Sequence, residues 1–158
     1  MLSALVALSI VGFADPAAAL SISAPGSVNL GSTSVTSSTL SAQMGTVTGT
    51  VTGVPLSFTA TVATSVFTTG GGTANETIGK SQIYYWSGTS TATTGVILTN
   101  VPGQANAGLA VPLTAAATAF TGTGAIAFSI SWNPTIVVHI PSSAVAGTYS
   151  GTITHSIA

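Results

Sequence analysis

From Thr148 to Ser156 every even position is Ser or Thr, while the odd positions hold Tyr149, Gly151, Ile153 and His155, with Ile157 following. Such period-two alternation predicts a strand with one buried and one solvated face. The same pattern recurs upstream. Leu56, Phe58, Ala60 and Val62 alternate with Ser57, Thr59 and Thr61, and Ile126, Phe128, Ile130 and Trp132 alternate with Ala and Ser. Further strands are expected in Ser21 to Leu30 (broken by Pro25-Gly26), Leu40 to Thr52, Ile83 to Trp86, Thr93 to Thr99, Leu109 to Phe120 and Thr135 to Ile140. The loop from Thr68 to Asn75 carries three glycines in a row and is expected to be mobile or a wide turn. About seven to nine short antiparallel strands with turn signals between them predict an all-β sandwich or barrel.

One phrase favours an immunoglobulin-like β-sandwich. Ala146-Gly147-Thr148-Tyr149 places a Tyr just inside a late strand, after a turn that crosses between sheets, as in a tyrosine corner. The hydroxyl is then expected to bond backbone near residues 141 to 144; the alternative is that Tyr149 is simply another inward aromatic. Parity within the closing segment puts Tyr149, Ile153, His155 and Ile157 in one inward row. Tyr85 and Trp86 belong to the aromatic centre of the chain, and Trp132 ends the strand before the last pair.

The N-terminal run Leu2 to Ala14 is apolar and too short for a spanning helix. With Ala17-x-Ala19 as a small-residue cleavage site, residues 1–19 read as a signal peptide whose basic n-region is missing, and residues 20–158 as one β-sandwich domain. A buried N-terminal helix is the alternative. The mature chain is expected to be secreted and to contain no membrane span.

Charged residues make up 2% of the 158, against about 25% in an average soluble protein. Apart from tyrosines, the ionisable side chains are Asp15, Glu76, Lys80, His139 and His155. One Lys, no Arg and a net charge of −1 exclude an electrostatic footprint for nucleic acid, and offer nothing for an anionic membrane to hold. Without Cys there is neither a disulfide framework nor thiolate chemistry.

Catalytic chemistry finds few parts. Glu76 is the one carboxylate after the leader, and it sits beside the triple-glycine loop. If the last two strands run antiparallel in one sheet, His139 and His155 lie about 25 Å apart, too far to share a nucleophile or a metal. Two His and one carboxylate fall short of an ordinary zinc site, and no cofactor is implied. Gly79-Lys80-Ser81 imitates a phosphate loop, but Ala74 stands where the pattern needs Gly. Asn75-Glu76-Thr77 is a formal glycosylation sequon. His139 shares parity with Thr135 and Val137 and is expected at the surface. His155 faces inward, either as a neutral core histidine or as a pH-responsive contact. The Thr-x-Thr runs at 46 to 52, 59 to 61, 91 to 93, 121 to 123 and 152 to 154 read as ordinary exposed strand faces, or as arrays for ice or glycan hydroxyls.

The ending Gly-Thr-Tyr-x-Gly-Thr-Ile-Thr, preceded by Val-x-Ile-Pro-x-x-Ala-x-x-Gly, resembles the C-terminus of WxL-type bacterial cell-surface proteins, most closely their secreted actinobacterial relatives. Residues 67–78, Tyr85-Trp86-Ser87-Gly88 and Trp132-Asn133-Pro134-Thr135 share that resemblance. It implies a non-covalent place on the cell wall, with polysaccharide or peptidoglycan as partner. This sequence departs from the family where the Trp-x-Leu motif would stand, having His155-Ser156-Ile157. The expected role is therefore non-catalytic: structural or wall-associated. The competing expectations are a fibre or layer subunit self-associating through edge strands, and a glycan- or ice-binding module. No sorting signal follows the last strand, so covalent anchoring is not expected.

Overall fold

The computed structural model describes residues 19–34, 38–54 and 56–158; the expected leader, apart from Ala19, lies outside them. Fourteen strands follow in order: β1 (Leu20–Ser23), β2 (Thr39–Gln43), β3 (Val47–Val51), β4 (Ser57–Thr64), β5 (Phe67–Thr68), β6 (Thr77–Ile78), β7 (Ile83–Trp86), β8 (Ser90–Thr94), β9 (Ile97–Pro102), β10 (Val111–Pro112), β11 (Ala117–Gly124), β12 (Phe128–Trp132), β13 (Thr135–His139) and β14 (Ile153–Ile157). Three short 3-10 turns, Ala74–Glu76, Lys80–Gln82 and Ala107–Leu109, are the helical elements among the described residues.

The strands form antiparallel sheets in the orders β1-β3-β12-β8, β14-β4-β11-β9 and β10-β7-β13-β2, with β5-β6 as a small separate ribbon. The first two sheets face each other across an aromatic core. Phe58 of β4 stacks on Phe128 of β12 with ring centroids 5.9 Å apart, and Phe120 of β11 stacks on Trp132 at 4.9 Å. Offset stacking of this kind adds roughly 0.5–1.5 kcal/mol per pair beyond the area buried. The class is all-β with sandwich-like layering, as the alternation predicts.

The strand number exceeds the expected seven to nine because long apolar-polar runs are cut by corners. Leu40 to Thr52 reads as one strand but yields two in different sheets. Between them Gly45 takes φ +89°, a left-handed conformation that glycine adopts without a steric penalty. The partner run bends beside it: β12 and β13 are separated by Asn133-Pro134, and β3 pairs with β12 while β2 pairs with β13. The corner is stitched by Met44 N–H donating to the Pro134 carbonyl at 2.8 Å and Gly45 N–H donating to Asn133 Oδ1 at 3.1 Å. Pro134 has no N–H of its own, so the bend costs no donor there. Likewise Thr93 to Thr99 is divided at Gly95, φ +79°, into β8 of one sheet and β9 of another.

The last two long strands are not a hairpin. β13 pairs with β2 and β7, while β14 pairs with β4 in a different sheet. The crossing between them holds Tyr149, whose hydroxyl donates to the Val145 carbonyl at 3.0 Å, four residues upstream and one beyond the expected stretch. It also lies 3.0 Å from the Asn75 carbonyl, which accepts the Val145 N–H as well. That contact ties the glycine-rich segment to the crossing. Thr68 and Ser150 exchange backbone hydrogen bonds of 2.9 and 3.0 Å, so the base of the glycine loop is anchored.

Candidate functional site

The aromatic centre Ile83-Tyr84-Tyr85-Trp86 lies on β7, flanked by β10 and β13. Successive side chains alternate between faces, so Tyr85 enters the core while Tyr84 and Trp86 emerge on the outer surface. The expected site residues therefore separate into two groups.

The inner group is a buried chain of polar contacts. Trp132 Nε1–H donates to the Tyr85 hydroxyl at 3.3 Å, and that hydroxyl lies 3.3 Å from His155 Nε2. The three residues come from three different sheets, on β12, β7 and β14, and each is at most 1% exposed. Because the indole can only donate, the hydroxyl accepts from it and can pass its own proton toward Nε2. That arrangement favours neutral imidazole protonated on Nδ1, a buried atom with no hydrogen-bond partner. Burial acts in the same direction: it pulls the His155 pKa down to about 4 and pushes the Tyr85 phenol well above its ordinary value. The trio holds the layers together and presents no surface to solvent.

Tyr149 serves the crossing described above, and Ile157 is half-buried at the end of β14. Of the inward row expected for Tyr149, Ile153, His155 and Ile157, Ile153 and His155 are buried on β14 and Ile157 is half-buried at its end, whereas Tyr149 is buried in the crossing before that strand begins. His139 and His155 lie in different sheets, so the expected separation along one common sheet does not apply. Glu76 is consumed locally: its Oε2 accepts the Thr73 N–H at 3.0 Å and the Thr73 hydroxyl at 2.8 Å. These bonds hold its pKa below the usual carboxylate value. Among the described residues no group of three His, Cys, Asp or Glu could hold a metal ion.

The outer group was only half visible in the sequence. Trp86 stood out as an aromatic, but its neighbours on the face are Tyr84, from the same strand, and Val137 and His139 from β13. Tyr84 and His139 meet nearly perpendicular, at 73°, with ring centroids 4.9 Å apart. His139 Nδ1 lies 3.4 Å from the Thr39 hydroxyl on β2. Two open depressions adjoin at Tyr84 and His139. One, of about 300 Å³, reaches Gln82 and Thr39; the other, of about 360 Å³, reaches Trp86 and Val137. The parity of 83 to 86 is the signal that could have paired Tyr84 with Trp86. Nothing local could have brought His139 beside them.

The outer faces of the other two sheets are paved with hydroxyls. Register places Ser21, Thr50, Ser129 and Thr94 in one row across four strands, and Ser23, Thr48 and Ser131 in the next. Thr48 bonds Ser131 and Thr94 bonds Ser129, both at 2.8 Å. On the opposite sheet Thr99 bonds Thr123 at 2.7 Å. Among the described residues no helix is long and apolar enough to cross a membrane. Neither a scan against known protein-family models nor a search of curated proteins returns a match.

Proposed function

We propose that this chain is a non-catalytic, secreted bacterial surface domain of immunoglobulin-like build, with a structural or wall-associated role. The observation that carries the reading is the pair of hydroxyl-covered sheet faces on an aromatic core, in a chain with 2% charged residues. A neutral hydroxylated surface can lie against polysaccharide by exchanging hydrogen bonds, without depending on ion pairing. The Tyr149 bond to Val145 supports the immunoglobulin-like reading. The resemblance of the closing residues to WxL-type proteins points to the wall, with polysaccharide or peptidoglycan as partner. His155, standing at the departed motif, is 1% exposed, so any wall contact would use other residues. Fractionation of producing cells tests the reading. Mature protein should stay with the wall and resist elution by salt; recovery entirely in the medium would overturn wall association.

A second reading, a self-associating fibre or layer subunit, is favoured by β9. This strand closes one side of its sheet with Leu98 66% and Val101 53% exposed and no charged residue along it. Uncharged, apolar edges invite pairing with another chain. Electron microscopy of purified mature protein should show fibres or sheets if this is so, and monodisperse particles if it is not.

A further inference from the structure

We propose that the outer face of the β10-β7-β13-β2 sheet is a binding site for a neutral, pyranose-based polysaccharide, seated across Tyr84, Trp86 and His139. This site is distinct from the hydroxyl-covered faces and does not depend on their role.

The argument begins with spacing. Tyr84 and Trp86 are two residues apart on one strand, so their side chains leave the same face roughly 6.5–7 Å apart. Each ring is half-buried, and Tyr84 is braced at 4.9 Å by the His139 imidazole. The platform is thus ordered before a ligand arrives, and it stands on a paired sheet rather than a loop. The two depressions, about 300 and 360 Å³, lie on either side of the Tyr84–His139 pair. Each falls at the lower end of the volumes typical of small-ligand sites, about 300–1,000 Å³. Because both are open and they adjoin, they suit an extended chain passing over the surface better than a small molecule that must be engulfed.

The chemistry selects the ligand class. A pyranose ring offers an apolar C–H face to an aromatic ring and a rim of hydroxyls to polar neighbours. Aromatic rings with a polar tip match such an amphipathic partner. The polar groups along the groove include the Gln82 amide, the Ser38 and Thr39 hydroxyls and the His139 imidazole. Each can both donate and accept, as a sugar hydroxyl does. With Nδ1 of His139 engaged by the Thr39 hydroxyl, Nε2 is the ring nitrogen left for a ligand. Among the described residues neither Lys80 nor Glu76 lines the groove, so its described lining carries no fixed charge to attract a phosphate, a uronic acid or a basic peptide.

The test uses the full mature chain in affinity electrophoresis and pull-down with cellulose, chitin, soluble β-glucan and mannan, and with purified peptidoglycan as a separate arm. At least one neutral polysaccharide should retain the protein, undiminished by moderate salt. Tyr84→Ala and Trp86→Ala should each weaken retention about tenfold, the scale expected for truncating an aromatic anchor. Val54→Ala, at an exposed position that lines neither depression and lies outside the hydroxyl rows, should leave it unchanged. Urea unfolding of each variant verifies that it is folded, and His139→Gln serves as a milder probe of the same groove. Failure of every neutral polysaccharide, or retention unaffected by Tyr84→Ala, Trp86→Ala and His139→Gln, would overturn the site. Binding to peptidoglycan alone, indifferent to these substitutions, would leave wall association standing while overturning this groove.

Discussion

Tyr85 and His155, 70 residues apart in the chain, meet in the core with the phenol oxygen 3.3 Å from Nε2. Neither is on the surface, and the indole of Trp132 completes the contact. An ionisable ring sealed this way makes the folded state sensitive to pH.

The first prediction concerns acid. Burial holds His155 near a pKa of about 4 in the folded chain, below the 6.5 of the free side chain. Between those values the unfolded chain binds the proton and the folded chain does not. Stability is therefore complete above about pH 6.5 and is lost as pH falls toward 4, by on the order of 3 kcal/mol. Glu76 contributes in the same direction, below the ordinary carboxylate range. Urea titrations at pH 7, 5.5 and 4.5 should show this loss, and His155→Phe should flatten it. Equal pH dependence in both proteins would show that His155 is not its source.

Tyr149→Phe removes the hydroxyl that serves the Val145 and Asn75 carbonyls. One donor shared by two acceptors predicts a loss of about 1–2 kcal/mol in urea unfolding. Amide exchange at Val145, whose N–H also bonds the Asn75 carbonyl, should quicken more than exchange in β4. If the variant matched the parent in both, the hydroxyl would be no tie.

Gly151 lies under Phe67, and a Cβ placed there would collide with the ring of that buried residue. Overpacking of this sort costs about 1–3 kcal/mol. Gly151→Ala should destabilise by that amount, and less in a Phe67→Leu background. Strictly additive effects would mean the glycine is needed for another reason.

Thr48 and Ser131 share a hydroxyl bond of 2.8 Å across β3 and β12. A double-mutant cycle with Thr48→Val and Ser131→Ala should give a coupling of roughly 0.2–1 kcal/mol, as for other cross-strand pairs. Zero coupling would mean that solvent satisfies both hydroxyls equally well.

Much of the site was legible in outline. The alternation of Tyr84, Tyr85 and Trp86 assigns one aromatic inward and two outward, because side chains on a strand can only alternate. The parity of residues 135 to 140 places His139 outside, and that of 149 to 157 places His155 inside, as found. The glycine-rich segment was harder to read. Its ties to Val145, Tyr149 and Ser150 are long-range bonds that no local composition reveals.

By itself, then, the order of residues determined the strand class, the face of most strand side chains and the absence of a charge pattern for nucleic acid. These follow from local geometry and composition. Ile126, expected in the inward row of β12, instead lies exposed before that strand, and Thr135, expected outward with His139, is buried. Tertiary structure alone decided where strands bend and which of them meet. The corner at Gly45 and Asn133-Pro134 sends one antiparallel pair into two sheets, and the crossing at Tyr149 separates β13 from β14. Those turns gather Tyr85, Trp132 and His155 inside and set His139 beside Tyr84 outside. The reason is physical: pairing partners far apart in the chain are chosen by the packing of the whole core, whereas alternation is a property of each strand alone.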